Sequence, residues 1–242
     1  MWRVLEPSPW GCMMNAIENV KPINELDALA LHYGTDKASH HHGYTKIYHE
    51  IFAPMRQSVR GVCEIGVGGK NYRGVVGSSL MMWRDYFPGA QIVGIDIDPA
   101  ADGDYGKRIK VVIGDQTKKS TLDKALKELP SADIIIDDGS HINTLTIASF
   151  EYLFPKLNPG GIYVIEDTLC FSEMRLQNYR TQMEDFVISL VRGLETNGRI
   201  LTKRNMADFE KIPADYVLNT LERWVEKVIL CRGIYFIHKR AR

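Results

Sequence analysis

The chain has 242 residues, 45% hydrophobic and 25% charged, which is the balance of a soluble globular protein with one α/β domain and a small addition. Its 30 basic and 30 acidic residues cancel, so net charge offers no general attraction for nucleic acid or an anionic membrane. No apolar run approaches the length of a membrane span and the 4 cysteines lack zinc-binding spacing, which predicts a cytoplasmic protein with neither a nucleic-acid nor a membrane partner.

The N-terminal part of the chain differs in pattern from the rest. Residues 1–14 hold two prolines and an acid rather than a continuous apolar core, so we predict a disordered leader and not a signal peptide. Residues 15–60 are predicted to form a helical lobe, with helices over 23–33 and 47–55 and a polar, histidine-rich loop over 34–45. Such a lobe can cover the cofactor end of the sheet that follows.

The third segment, residues 61–242, alternates short β-branched runs with longer amphipathic ones. We predict strands over 61–67, 91–97, 109–113, 133–136 and 162–165, and helices over 79–87, 120–129, 143–157 and 176–195. Two further runs, 228–231 and 234–238, flank Arg232-Gly233 and predict a hairpin. The pattern therefore predicts a Rossmann-like α/β fold, whose mostly parallel seven-stranded sheet ends in an antiparallel hairpin and carries helices on both faces.

Polar residues and glycines follow the first three predicted strands, at the edge where open α/β sheets bind ligands. Glycines there let a ligand approach the backbone, and an acid after the second strand can accept hydrogen bonds from both ribose hydroxyls. The candidate cofactor-binding residues at these ends are Glu64, Gly66, Gly68, Asp96, Asp115 and Gln116. A plain strand-to-helix turn and a surface-loop aspartate are the alternative interpretations.

The glycine loop continues through residues 70–73 before a helix begins, which disfavours the pyrophosphate-binding loop of dinucleotide dehydrogenases. Taken together, the three strand ends resemble those of class I S-adenosylmethionine methyltransferases.

Acidic residues follow the fourth and fifth predicted strands as well. The fourth strand runs into the sequence DDGSH at 137–141, and the fifth ends in ED at 166–167. Because neighbouring parallel strands end at the same edge, we expect Asp138, Glu166 and Asp167 to converge on one point. Three carboxylates with open coordination positions suit Mg²⁺ or a similar divalent cation.

Two other residues of the DDGSH segment complete the predicted site. His141 is the candidate general base that removes a proton from a substrate hydroxyl. Asp137 points to the opposite side of the strand from Asp138 if the pleat continues, so it faces the cofactor or the core. The alternative is that these acids cap the helix that starts at Asn143 and that His141 is a loop residue without a role.

Five motifs extend the resemblance to one group of methyltransferases. They are YGTDK at 33–37, HHGY at 41–44, MWRDYFP at 82–88, IDDGSH at 136–141 and VIED at 164–167. Together, over about residues 25–170, they resemble the metal-dependent sugar O-methyltransferases of antibiotic biosynthesis. The resemblance implies S-adenosylmethionine and Mg²⁺ as cofactors, a small-molecule glycoside as substrate, and a homo-oligomer.

Carried over residue by residue, the resemblance places the metal ligands at Asp138, Glu166 and Asp167 and the general base at His141. Tyr33, Thr35 and Tyr44 are further candidates to help enclose the cofactor. Several alternatives stay open at this point: a catechol-type O-methyltransferase, methylation of a polysaccharide or glycolipid sugar, a Rossmann oxidoreductase, and a degenerate methyltransferase fold that serves as a scaffold. Residues 171–180 are either a substrate lid or a solvated helix start.

Overall fold

The computed structural model describes residues 20–69, 74–172, 180–195 and 224–241. The predicted leader, residues 1–14, lies outside the described residues, as does most of the candidate lid. Within the described part of the chain, no helix combines the length and the apolar character that crossing a bilayer requires.

The helices and strands follow the predicted alternation closely. The helices are α1 (Glu25–Tyr33), α2 (Thr45–Phe52), α3 (Ser78–Tyr86), α4 (Lys119–Lys127), α5 (Asn143–Leu153) and α6 (Arg180–Glu195). The strands are β1 (Gly61–Ile65), β2 (Gln91–Asp96), β3 (Ile109–Ile113), β4 (Ile134–Asp137), β5 (Ile162–Glu166), β6 (Val225–Cys231) and β7 (Ile234–Lys239). Short 3-10 turns cover Ala53–Met55, Pro99–Ala101, Phe154–Lys156 and Thr168–Ser172.

All seven strands form one sheet in the order β3-β2-β1-β4-β5-β7-β6. Strands β1 to β5 pair in parallel, whereas β7 pairs antiparallel with both β5 and β6. The predicted fold, a mostly parallel sheet that ends in an antiparallel hairpin, is confirmed. The carboxyl ends of β1, β2 and β4 meet in the middle of the sheet, because the chain order reverses there.

Side chains alternate between the two faces of each strand and build a core on either side. Val62 and Ile136 belong to one buried cluster and Cys63 and Ile135 to the other, as the pleat requires. The N-terminal helices share the first cluster with α3: Tyr48 and Phe52 of α2 and Trp83 of α3, with Phe236 of β7, form a network of ring contacts. The N-terminal lobe is therefore packed into the same core as the sheet.

Two of the helix boundaries that differ from the prediction have identifiable causes. Helix α4 begins at Lys119, one residue before the predicted start at 120, and Lys118 before it provides no side-chain cap. Helix α5 ends at Leu153, because Pro155 enters the next turn, which is a 3-10 turn instead of a continued α-helix.

The loop between α1 and α2 is fastened by a buried acid. The Asp27 carboxylate is fully buried and accepts hydrogen bonds from the backbone of Ile23 and Ser39 and from the hydroxyls of Ser39 and Thr45. Burial opposes ionisation of Asp27, but these hydrogen bonds outweigh it and lower its pKa. The predicted loop over 34–45 is thus fixed in position, and it reaches the carboxyl ends of the central strands.

Candidate functional site

Two adjoining cavities open at the carboxyl ends of the central strands. The first, the apolar cavity, has a volume of about 160 Å³ and is bordered by Ile65, Ile95, Ile97 and Leu145. The second, the polar cavity, has a volume of about 240 Å³ and is lined mainly by loop backbone and charged side chains. The residues common to both linings are Gly66, Asp96 and Gly139. One elongated ligand with an apolar end and a charged end could therefore occupy both cavities.

The cavities collect most of the predicted cofactor-binding residues. Asp115 and Gln116 line the apolar cavity. Thr35 and Gly68 line the polar cavity. The exceptions are Tyr33, Glu64 and Asp137, which line neither cavity.

Gly66 allows β1 and β4 to end side by side. It has a φ of 91°, and a Cβ atom at this position would lie 2.0 Å from the backbone oxygen of Asp138. Any other residue would therefore be strained by its backbone conformation and would collide with β4. A glycine here also leaves the backbone open to the two cavities.

Asp96 organises the glycine loop. Its Oδ2 atom accepts hydrogen bonds from the backbone N–H groups of Val67, at 2.8 Å, and Gly68, at 3.1 Å. Its Oδ1 atom accepts one from the N–H group of Asp98, at 2.9 Å. The structure thus gives Asp96 a role in shaping the loop, and its place on both cavities is compatible with the predicted contact to a ribose.

Three predicted cofactor residues occupy supporting positions instead. Tyr33 donates a hydrogen bond to Asp85, at 2.5 Å, on the outer side of α3. Asp137 is buried and accepts hydrogen bonds from Tyr163, at 3.0 Å, and from Gln116, at 3.4 Å. Burial raises the pKa of Asp137 to about 7, against the effect of the hydrogen bond from Tyr163. Gln116 in turn accepts a hydrogen bond from the backbone of Ser140, so this pair supports the floor of the apolar cavity.

Glu64, the third of these residues, belongs to an acid cluster around a buried lysine. The Lys37 Nζ atom lies 2.5 Å from Asp138 Oδ2, 2.9 Å from Glu166 Oε2 and 3.5 Å from Glu64 Oε1. The Lys37 side chain is 1% exposed. Burial opposes its charge, but the three carboxylates outweigh burial and raise the pKa of Lys37 well above the ordinary value. Lys37 is therefore protonated inside the protein.

The acids of this cluster are also strongly affected by burial. Burial raises the pKa of Glu64 to about 7 and that of Glu166 well above the ordinary range, while Lys37 acts in the opposite direction on both. The far oxygens of these two carboxylates are held by hydroxyl groups. Ser79 donates to Glu64 at 2.8 Å, and Tyr48 donates to Glu166 at 2.5 Å.

A second group of ligand-type atoms faces the polar cavity. The Nε2 atom of His141 lies 3.7 Å from Asp167 Oδ2, and the hydroxyl of Tyr44 lies 2.8 Å from Asp167 Oδ1. The Tyr44 hydroxyl is also 2.9 Å from the backbone oxygen of Gly233, in the turn of the hairpin.

His141 and Asp167 have φ angles of 55° and 53°, which non-glycine residues seldom adopt. Strain of this kind, held on two facing polar residues, is typical of functional sites.

The predicted metal ligands are distributed over both groups. Donor atoms of Asp138, His141 and Asp167 lie within 4.8 Å of one another, as do those of Glu64, Asp138 and Glu166. Asp138 is the member common to both. Hard carboxylate oxygens beside an open polar cavity fit a divalent cation such as Mg²⁺. Asp138 and Asp167 line that cavity, whereas Glu166 is 4% exposed and lies behind them.

The sequence of the chain is similar to those of sugar O-methyltransferases. No protein-family model matches the chain. The chain is 42% identical over 144 residues to the 8-demethyl-8-alpha-L-rhamnosyl tetracenomycin-C 2'-O-methyltransferase of Streptomyces olivaceus, which covers 59% of this chain and 37% of the relative. It is also 42% identical over 143 residues to the mycinamicin VI 2''-O-methyltransferase of Micromonospora griseorubida, covering 59% of this chain and 36% of the relative.

Solved structures extend the similarity to nearly the whole chain. The MycE methyltransferase from the mycinamycin biosynthetic pathway, in complex with Mg and SAH, superposes with a TM-score of 0.76 at 30% identity, over 90% of this chain and 55% of that protein. Its complex with Mg, SAH and mycinamycin VI gives a TM-score of 0.75 over 90% and 54%. This chain has a class I methyltransferase fold. The resemblance to sugar O-methyltransferases of antibiotic biosynthesis is confirmed, although the chain spans little more than a third of these curated relatives.

The sequence did not reveal Lys37 as part of the candidate functional site. The residue stood inside the motif YGTDK, but nothing in its local sequence shows that the ammonium group is buried among acids. The signal that could have found it is the surplus of acids at the strand ends, since buried carboxylates require a partner cation or protons. Tyr48, which holds Glu166, was missed for the same reason. Tyr44 was predicted to help enclose the cofactor, and its hydrogen bond to Asp167 was missed.

Proposed function

We propose that this chain is an S-adenosylmethionine-dependent, divalent-metal-assisted O-methyltransferase that acts on a sugar hydroxyl of a natural-product glycoside in antibiotic biosynthesis. The observation that carries the proposal is the group formed by Asp138, His141 and Asp167 at the polar cavity, within a methyltransferase fold. The names of the relatives support the sugar acceptor. Balanced charge and cysteine spacing support a cytoplasmic enzyme without a nucleic-acid or membrane partner, and the family resemblance supports a homo-oligomer.

The two cavities fit the cofactor in shape and chemistry. The apolar cavity, with Gln116 and Asp115 in its lining, suits an adenine ring, and the polar cavity suits the charged amino-acid end. Gly66 and Asp96, which line both, are positioned for the ribose between the two ends. The SAH in the MycE complexes supports this assignment.

The acids at the polar cavity would hold the metal ion, with Asp138 and Asp167 in front and Glu166 behind them. When bound, the divalent ion supplies positive charge beside the acceptor oxygens, and S-adenosylmethionine supplies the methyl group. The protein side chains prepare the acceptor for this reaction by orienting it and by removing its proton.

His141 is the residue proposed to accept the hydroxyl proton, at its Nε2 atom. Asp167 Oδ2, 3.7 Å away, stabilises the imidazolium that results. Asp167 cannot rotate freely, because the Tyr44 hydroxyl holds its other oxygen at 2.8 Å. The left-handed backbone of both residues directs the two side chains towards the cavity.

Asp96 provides a test of the cofactor site. Its replacement by alanine is expected to weaken S-adenosylmethionine binding by about tenfold to a hundredfold, because ribose hydroxyls lose a charged acceptor and the glycine loop loses its anchor. The asparagine variant retains an oxygen for the loop and lacks the charge, so it is expected to weaken binding as well. Calorimetry measures both, with Asp104→Ala as a control at an exposed aspartate. Wild-type affinity in the asparagine variant would contradict the ribose role.

Labelled methyl transfer tests the proposed function directly. The protein is incubated with S-adenosylmethionine, Mg²⁺ and separate acceptors: mycinamycin VI, a rhamnosylated aromatic polyketide, a catechol, and a rhamnose-containing polysaccharide. We expect label on a sugar hydroxyl of one of the glycosides. Label on the catechol alone would show a catechol-type enzyme. Label on the polysaccharide alone would show that the acceptor is a polysaccharide sugar and not a natural-product glycoside. Cofactor binding without methyl transfer to any of these acceptors would favour the alternative that the chain is a degenerate methyltransferase fold serving as a scaffold.

A further inference from the structure

The buried lysine of the acid cluster occupies an unusual position for a protein that is proposed to bind a metal ion. Lys37 Nζ lies within 2.9 Å of oxygens of both Asp138 and Glu166, which are two of the three predicted metal ligands. It comes from a loop between α1 and α2 that the buried Asp27 fixes in place. The ammonium group is therefore a permanent neighbour of the site and not a surface charge that can withdraw.

The oxygens at the back of the site are already in use. Glu166 gives one oxygen to Lys37 and the other to Tyr48. Glu64 gives one oxygen to Ser79, and the other faces Lys37 at 3.5 Å. The acids in front, where Asp138 meets Asp167 and His141, border the polar cavity. The acids thus form a rear set, Glu64 and Glu166, whose oxygens the protein itself engages, and a front set at the cavity, of which Asp138 also contacts the lysine at 2.5 Å.

We propose that Lys37 is a positioning residue that acts as a built-in cation of the acid cluster: it keeps the acids assembled before metal binding and weakens the binding of the divalent ion. This inference rests on the proposed metal-assisted function. Without a cation, the carboxylates of Glu64, Glu166 and the partly exposed Asp138 would repel one another, so Lys37 keeps the metal-free site ordered. The same positive charge, a few ångströms from any ion held by Asp138, repels that ion.

Replacing Lys37 by methionine, a side chain of similar length without charge, separates this role from simple packing. The change removes the repulsion and frees one oxygen each of Asp138 and Glu166. Mn²⁺ is expected to bind about tenfold more tightly or better in this variant. Its melting temperature is expected to depend strongly on added metal, because a divalent ion then takes over the role of the ammonium group. A residue with a merely structural role would leave metal affinity unchanged or lower it.

Titration of the 242-residue chain with Mn²⁺, followed by electron paramagnetic resonance, tests the inference, and thermal unfolding with and without Mg²⁺ provides a second readout. Lys37→Arg retains the charge and is expected to bind Mn²⁺ no more tightly than the wild type. Lys239→Met is the matched control, since that ammonium group donates to the backbone oxygens of Pro155 and Leu157 and not to acids.

If Lys37→Met does not fold, the double variant with Glu64→Gln removes one acid together with the cation. That double variant is then compared with Glu64→Gln alone, and tighter Mn²⁺ binding is expected in it.

The outcomes separate the two proposals. Tighter Mn²⁺ binding in the methionine variant than in the wild type supports the inference, and equal or weaker binding overturns it. Binding of Mn²⁺ by the variant but not by the wild type supports the inference and contradicts metal assistance in the natural protein. Absence of binding by both proteins overturns the inference and the metal part of the proposed function together.

Discussion

Replacing His141 with alanine is expected to lower methyl transfer by about a thousandfold, the usual contribution of a general base. His141 Nε2 faces Asp167 Oδ2 at 3.7 Å on the polar cavity, and no other histidine lines that cavity in the described part of the chain. The loss should appear in turnover, because the acceptor hydroxyl then gives up its proton without assistance. Cofactor binding should stay near the wild-type value, since the proposed cofactor contacts are made by other residues.

Single-turnover transfer of labelled methyl measures the chemical step, and calorimetry with S-adenosylmethionine measures cofactor binding. His49→Ala is the matched control: this half-buried histidine lies 3.0 Å from the Tyr86 hydroxyl and lines neither cavity. We expect the control to transfer methyl at nearly the wild-type rate. Turnover of His141→Ala within a few-fold of wild type would exclude His141 as the base.

Chelation of divalent cations is expected to reduce methyl transfer by about a hundredfold or more, and added Mg²⁺ should restore it. Without the ion, the front acids Asp138 and Asp167 present negative charge to the oxygens of the acceptor, and that charge disfavours the alkoxide that must form. The built-in cation at Lys37 pairs with Asp138 but not with Asp167, so it compensates the charge of the front acids only in part. The folded state should survive chelation, since Lys37 continues to hold Glu64, Asp138 and Glu166.

Activity is measured after dialysis against EDTA and again after Mg²⁺ is returned in excess. A sample treated with EDTA that was saturated with Mg²⁺ beforehand controls for effects of the chelator itself, and far-ultraviolet circular dichroism checks the fold. Full activity in EDTA would remove the metal from the mechanism. Loss of the fold in EDTA would instead show that Lys37 cannot hold the cluster alone.

The fold could be predicted because its signals are local. Each parallel strand is a short apolar run with β-branched residues, and every one of them except β2 is followed by a helix with recognisable turn residues. The hairpin around Gly233 was equally visible. Helix ends were less predictable: α4 begins at Lys119, one position before the prediction, and no side-chain cap marks that boundary.

The front of the candidate site was also predictable, because parallel strands bring their carboxyl ends together. Asp138 and Asp167 meet His141 for this reason. The arrangement of the acids at the back of the site could not be predicted from the sequence. Glu64 lies one residue before the end of β1, on the face that carries α3, so the pleat directs it to Ser79 and Lys37 and away from the cavities.

Lys37 illustrates what single-sequence reasoning lacks. Its partners Asp138 and Glu166 are 101 and 129 residues away in the chain. Their meeting depends on the path of the loop between α1 and α2, which is determined by hydrogen bonds to one buried aspartate, Asp27. Neither the periodicity of the sequence nor the spacing of its motifs indicates the path of this loop. The path becomes visible only in the structure, where the loop is bound to the buried aspartate.

The contact between Tyr44 and Gly233 has a consequence for the order in which the protein is built. The two residues are 189 positions apart, and their hydrogen bond links the N-terminal loop to the C-terminal hairpin beside Asp167. Contacts between distant positions form late, because a long stretch of chain must first be ordered. During synthesis, the hairpin leaves the ribosome after the five parallel strands. The chain therefore assembles most of its sheet before Asp167 is locked, and catalytic competence should be acquired only after the final strand has joined the sheet.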